Sequence, residues 1–287
     1  DMLAPKWYDK DPDKSYADNL NDLVAGAQAA VASAMAESKP QSVYRIWRQS
    51  YDDCQAAGPA AGRNPLVASN GPSLLERALL DGLGVALGLP YHTLLLDNLV
   101  GIDLGDMHEE LAGVVPADVI PAHPLQQIHL RHTVGLADPI RHVDIAAGDR
   151  LNDGLPQSLE EYIERQALSY FKIKVGGDVD ADADRLAEIA AVLPAGELTV
   201  SLDGNEQYSD PAELVQLLDR LQSGSPATRR LYDAILYLEQ PLDRRVALES
   251  SADAVRALSA RKPMVIDESD ETLKTFRHSV ELGYRGV

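Results

Sequence analysis

Cysteine is almost missing from this chain, with one, Cys54, among 287 residues. A single thiol excludes an internal disulfide framework and any thiolate-ligated metal cluster. Such a composition suits a reducing compartment, so a cytoplasmic location is expected. Cys54 lies in the stretch YDDCQAAGPAAGRNP, whose small and polar residues predict a loop, and with no histidine motif beside it the thiol reads as incidental. Positive charge is scarce too. Twenty-six basic residues stand against 45 acidic ones, a formal charge of −19. That balance repels nucleic acid and anionic membrane surfaces, so neither is an expected partner. No apolar run reaches the length that spans a bilayer. The opening DMLAPKWYDKDPDK lacks the apolar core of a signal peptide, and position 1 is not Met, which predicts that residues upstream are missing.

What is present is enough apolar material, 45% of residues, for one large domain or two. From about Ser15 to Ala36 the pattern is helical, with Leu20, Leu23, Ala27 and Val31 on one stripe. Residues 52–72 are rich in Gly, Ala, Pro and Asn and predict a loop. PSLLERALLDGLGVALGLP then predicts an apolar helix with Ser73 as N-cap and Pro90 beyond its end. After Pro124 the rhythm changes to short apolar strands alternating with amphipathic helices. LQQIHLRHTVG, FKIKV, LTVSLD, AILYLEQP and PMVIDES read as strands. Each is followed by a helical segment, the first capped by Ser158 with Glu161 at capping-box spacing and the third opened by Pro211. YRGV begins a sixth strand. Five βα units in a row mean a parallel sheet, doubly wound or closed as a barrel. No Gly-rich phosphate loop follows the first strand, and polar residues recur at strand ends, where a barrel keeps its active site. Both features favour the barrel.

Strand parity then sorts the side chains, because successive residues leave a strand on opposite faces. Lys172 and Lys174 share one face, and Phe171, Ile173 and Val175 the other. Asp203, Glu239 and Asp267 each close an apolar strand and share the inward parity, together with Ser201 and Tyr237. Successive groups fall about 30 residues apart, the length of one βα unit with its loops. Each strand therefore delivers one group to the same mouth. Three converging carboxylates without partners would repel and take up protons. A hard divalent cation resolves this, and all-oxygen ligation suits Mg²⁺ best. Taken singly, each residue has an ordinary explanation. A lone lysine at a strand end is a solvated rim residue, Asp203 before Gly204 begins a turn, and Asp267 caps a helix near Glu271. Of the seven histidines, His129 and His132 lie nearest the first strand, where a hydrogen-bonded structural role is expected; the others show no metal-ligand spacing.

In this order, KIK, DGN, EQP and DES resemble the motifs of the enolase superfamily. They look most like its muconate lactonizing subgroup, which includes muconate cycloisomerases, o-succinylbenzoate synthases and dipeptide epimerases. ERALLDGLGVALGLPYHTLL also resembles the helical part of that family's capping domain. The resemblance implies a TIM-type (β/α)7β barrel, cut here after the start of the sixth strand, in residues 124–287. It implies an N-terminal α+β capping domain, mainly its helices, in residues 1–123. By resemblance Asp203, Glu239 and Asp267 are the Mg²⁺ ligands, Lys174 is an acid/base with Lys172 as its electrostatic companion, and Asn205 and Glu268 stand behind the ligands. The mandelate racemase subgroup usually has Glu as third ligand and a His–Asp pair as opposing base, so Asp267 in VIDES favours the lysine type. The subgroup's further catalytic lysine would fall just past Val287.

The implied reaction is Mg²⁺-dependent abstraction of a proton alpha to a carboxylate through an enediolate. Its outcome would be epimerisation, racemisation or cycloisomerisation of a small carboxylate, in a homo-oligomer. A sugar-acid dehydratase or an o-succinylbenzoate synthase-like lyase is an alternative outcome. A metal-dependent barrel hydrolase is a rival, which the lysine pair opposes, and a non-catalytic relative is another.

Overall fold

The computed structural model describes residues 4–36 and 38–287; the first three residues, on which the reading of the chain's start partly rests, lie outside these. Two compact units divide the chain. One runs to Gln126 and includes Glu271–Leu273, and the other holds Gln127–Asp270 and Lys274–Val287.

The first unit is helical. Its long helices are α1 (Tyr16–Ala36), α2 (Val43–Ala57) and α3 (Pro65–Leu87). α1 buries Asn19, Leu23, Gly26 and Ala30 and leaves Val31 half exposed, so the buried stripe is rotated from the expected one toward its smallest residues. The cause lies in α3. A Cβ at Gly71 would stand 2.2 Å from the Gly26 carbonyl oxygen, so the two backbones touch where both residues are glycine. This overturns the loop expected over 52–72. α2 runs through Ala57, and α3 starts at Pro65 with Asn64 as its cap, the Val67 N–H donating to Asn64 Oδ1 at 2.8 Å. Ser73 is not a cap; it follows Pro72 inside α3. Gly88 ends that helix in the left-handed conformation, its N–H bonding back to the Gly84 and Val85 carbonyls. Cys54 is likewise helical and buried, and burial pushes its thiol up. Tyr44, Leu94 and Val100 form the unit's small apolar cluster. Among the described residues no helix is long and apolar enough to cross a membrane.

The second unit is built on five strands: β1 (Arg131–Val134), β2 (Tyr170–Lys174), β3 (Thr199–Asp203), β4 (Ile235–Glu239) and β5 (Met264–Val265). All neighbours are parallel and the order is β1-β2-β3-β4-β5, the sequential order of a barrel wall. A bridge from Val265 to Gly286 marks the sixth strand beginning. Between the strands run α4 (Leu159–Gln166), α5 (Val179–Val192), α6 (Pro211–Ser223), α7 (Pro226–Ala234) and α8 (Ala252–Arg261), with α9 (Thr275–Leu282) after β5. α4 has the expected capping box between Ser158 and Glu161. α7 was not expected, although Ser225 caps it and Pro226 opens it.

Phe171, Ile173, Val200, Leu202, Leu238, Met264 and Ile266 leave the sheet toward these helices. There they pack with Leu186, Ile189, Leu214, Leu217 and Val255. One position breaks the expected alternation. Val200 pairs with Ile235 but Ser201 pairs with Tyr237, so Leu236 bulges out of register and is 57% exposed instead of facing the helices.

Candidate active site

Pairing registers bring the expected residues together. Lys174 pairs with Asp203, and Asp203 with Glu239, in one row across β2, β3 and β4. Lys172 lies one step down on the same face, level with Ser201 and Tyr237. Lys172 Nζ stands 2.7 Å from Asp203 and 2.6 Å from Glu239, and Lys174 Nζ is 2.5 Å from Asp203. Asp203 is wholly buried. Burial pushes its carboxyl up, but the hydrogen bonds and charges of Lys172 and Lys174 outweigh that and hold it below the ordinary carboxylate range. In the same way burial pulls Lys172 down while Asp203 and Glu239 hold its ammonium above its usual value.

Asp267 follows β5 on the same parity, since Met264 and Ile266 are buried in the core. Burial, followed by the nearby Glu268 and Glu239 carboxylates, pushes its carboxyl up to about 6. Asn205 and Glu268 also join the cluster: Asn205 Oδ1 accepts from Lys174 Nζ, and its Nδ2 donates to Glu268 Oε1 at 2.9 Å. Asp203 Oδ1 in turn accepts from the Asn205 backbone N–H at 2.9 Å.

The turns after the strands interlock. Gly204 N–H bonds to the Glu239 carbonyl at 3.0 Å and Glu206 N–H to the Gln240 carbonyl at 2.9 Å. A Cβ at Gly204 would stand 2.5 Å from Pro241 Cα, which is why DGN needs its glycine opposite EQP. Asn205, Glu206 and Gln240 all have positive φ, at 40°, 70° and 32°. Such conformations cost on the order of 1–3 kcal/mol each and collect at functional sites. Beyond Lys174, buried Asp182 accepts from the Gly176 and Gly177 N–H groups at 2.7 and 2.9 Å and from the Tyr208 hydroxyl, fixing the end of β2.

A cavity of about 310 Å³ opens on this face, lined by Arg131, Tyr237, Glu239, Val265 and Asp267 among others. Arg131 has no motif around it in the sequence. Its guanidinium donates to Ser201 Oγ at 3.3 Å and to the Tyr237 hydroxyl, and its parity on β1 was the available signal. In the helical unit a larger cavity, about 590 Å³, lies among Arg77, Leu80, Asp81, Val85 and Tyr91. His129 stacks on Tyr170 at 4.3 Å and His132 lies tilted against Tyr162 at 4.5 Å, a packing role for both.

Asp203 and Glu239 meet two ammonium groups here, Asp267 lines the same cavity and Glu268 lies behind Asn205, and the donor set is all oxygen. That chemistry fits a hard divalent cation. As the side chains stand, no group of three or more His, Cys, Asp or Glu residues among those described is placed to hold a metal ion. Asp203 and Glu239 face the Lys172 ammonium, so a cation joining them would take the place of that ammonium.

Residues 154–287 match the family model "Enolase C-terminal domain-like", a stretch that carries both lysines and the acids of this site. Among solved structures, an enolase from Bradyrhizobium complexed with magnesium and mandelic acid superposes with a TM-score of 0.50 at 19% identity. The match covers 91% of this chain and 55% of that one, so the chain spans about half that enolase's length. A dipeptide epimerase from Enterococcus faecalis V583 gives a TM-score of 0.47 at 17% identity, covering 96% of this chain and 68% of that one. A mandelate racemase/muconate lactonizing enzyme from Roseiflexus sp. gives 0.45 at 21%, covering 85% and 53%. At 19% identity the likeness to the Bradyrhizobium enolase is one of fold alone. No curated protein matches the chain.

Proposed function

We propose that this protein is an isomerase that removes and returns a proton on the carbon next to a substrate carboxylate, with Mg²⁺ held by Asp203, Glu239 and Asp267. The observation that carries the reading is the pair of ammonium groups, Lys172 and Lys174, set on Asp203 and Glu239 across three adjacent strands. When bound, the cation supplies positive charge for the substrate carboxylate and for the charge that develops on it. Lys174 moves the proton at its Nζ, which the Asn205 side-chain oxygen and Asp203 hold in place. Lys172, held beside Asp203 and Glu239, adds a fixed positive charge close to the developing negative one. The half-buried setting of both ammonium groups strengthens that interaction over its value in water. Epimerisation or cycloisomerisation is preferred to dehydration because the lysine pair, the EQP turn and Asp267 together follow the lysine-type pattern. The magnesium in the Bradyrhizobium enolase supports the choice of cation.

The test is proton exchange in D₂O with Mg²⁺ and a panel of acids: N-acyl amino acids, dipeptides, aldonic acids and a muconate. Deuterium should enter the alpha position of one class. Lys174→Ala should slow exchange on one face by about 10²–10⁴-fold, the usual worth of a general acid/base, with metal affinity kept. Exchange at the wild-type rate in a folded Lys174→Ala protein would overturn the assignment.

A further inference from the structure

The turn after β5 carries two acids side by side, Asp267 and Glu268; parity sends Asp267 inward, but β5 ends at Val265, so that direction has to be held past the end of the strand. We propose that Gln240 holds it, its buried amide pinning the turn so that Asp267 faces the cavity and Glu268 does not. This rests on the metal reading above.

Gln240 is 1% exposed and holds a left-handed backbone, φ 32°, that glutamine seldom adopts. Both ends of its amide are used. Oε1 accepts from the N–H groups of Asp267 and Ser269 at 2.9 and 3.0 Å. Nε2 donates to the Leu242 carbonyl and to Ser269 Oγ, both at 2.8 Å. The two N–H groups it holds flank Glu268. With both flanks fixed, the directions of the intervening and preceding side chains are fixed too. Asp267 lines the cavity beside Glu239, while Glu268 is wholly buried and its Oε1 accepts from Asn205. A slip of one residue would bring Glu268 into the place of Asp267 and Ser269 into that of Glu268. Only an amide offers an acceptor and a donor together at that reach; a carboxylate would lose both donations, and a thioether would leave buried N–H and C=O groups unpaired. Gln240 is therefore a positioning residue, acting through Asp267.

The test uses Mn²⁺ alone on the intact protein, with the free ion followed by electron paramagnetic resonance and no turnover. Gln240→Met should weaken Mn²⁺ binding about 10–100-fold, the range seen when a partner behind a metal ligand is lost. Asp267→Asn should weaken it at least as much, and the double variant should bind no worse than Asp267→Asn alone. Leu258→Ala, on the helix-covered side, should lose thermal stability and keep the wild-type affinity, which separates positioning from mere destabilisation. If Gln240→Met does not fold, Ser269→Ala removes one acceptor of the amide and should produce a smaller loss of the same kind. Wild-type affinity in whichever of the two folds, or a Gln240→Met loss that multiplies in full with that of Asp267→Asn, overturns the clamp. Failure of the wild type to bind Mn²⁺ overturns the metal reading and the clamp with it; tight wild-type binding with an indifferent Gln240→Met overturns the clamp alone.

Discussion

Phe171 and Ile173 leave β2 toward the helices and are wholly buried, while Lys172 and Lys174 leave the same strand the other way and end on carboxylates. The same alternation holds along β3, with Val200 and Leu202 against Ser201 and Asp203. One face gains stability in proportion to the apolar area it removes from water. The other does not follow that rule. Burying Asp203 and two ammonium groups costs desolvation that their attraction only offsets, and apolar residues of similar volume often do as well or better. A face of this composition is explained by chemistry, not by stability.

The contrast can be broken at either face. The largest stability effect belongs to the apolar one. Phe171→Ala should cost about 3–5 kcal/mol, read as a lower urea midpoint, because it empties space among Leu186, Ile189 and their neighbours. A cost as small as that of a surface substitution would mean that the faces are not so divided. On the charged face the expected effect appears only with the cation. Saturating Mg²⁺, at 100 times its Kd, should stabilise the wild type by about 2.7 kcal/mol, and Asp203→Asn should lose that gain. Equal upward shifts of Tm in both proteins would remove Asp203 from the ligand set.

The smallest effect lies outside both faces, at Glu161 on α4. Its hydrogen bonds, first from the Gln157 N–H and then from His142 and the Ser158 N–H, hold its carboxyl down at about 2. A depressed carboxylate contributes stability above its unfolded pKa, near 4.5, and the contribution is lost as pH falls toward 2. Wild type and Glu161→Gln should therefore differ in urea midpoint at pH 6 and converge at pH 2. A difference that grows on acidification would contradict the sign.

The strands and the cluster were legible because each depends on period-2 parity and on spacing that one chain displays. KIK, DGN, EQP and DES state their face, and Ser158 and Pro211 state where helices begin. What escaped depends on partners distant in sequence. Gly71 looks like loop material until Gly26 is known to lie against it. Leu236 obeys the alternation until pairing with β3 inserts a bulge. Arg131 has no motif around it and matters only because Ser201 and Tyr237 meet it. Parity puts Lys172 on the inward face, but its seat between Asp203 and Glu239 follows only from pairing, since the sequence lists charges without saying which pairs close.

Parallel pairing has a kinetic consequence. Lys174 meets Asp203 across 29 residues, and Lys172 meets Glu239 across 67. No lysine and carboxylate of the cluster share a strand or a turn, so none of these contacts can form while its βα unit is alone. Each waits for loop closure between units, the slow part of folding for non-local topologies. Partial opening of any one unit removes a group from the cluster while the other units keep their helices and core. Assembly of the charged cluster is thus a late event of folding and an early casualty of local unfolding, lost before far-ultraviolet circular dichroism registers any loss of helix.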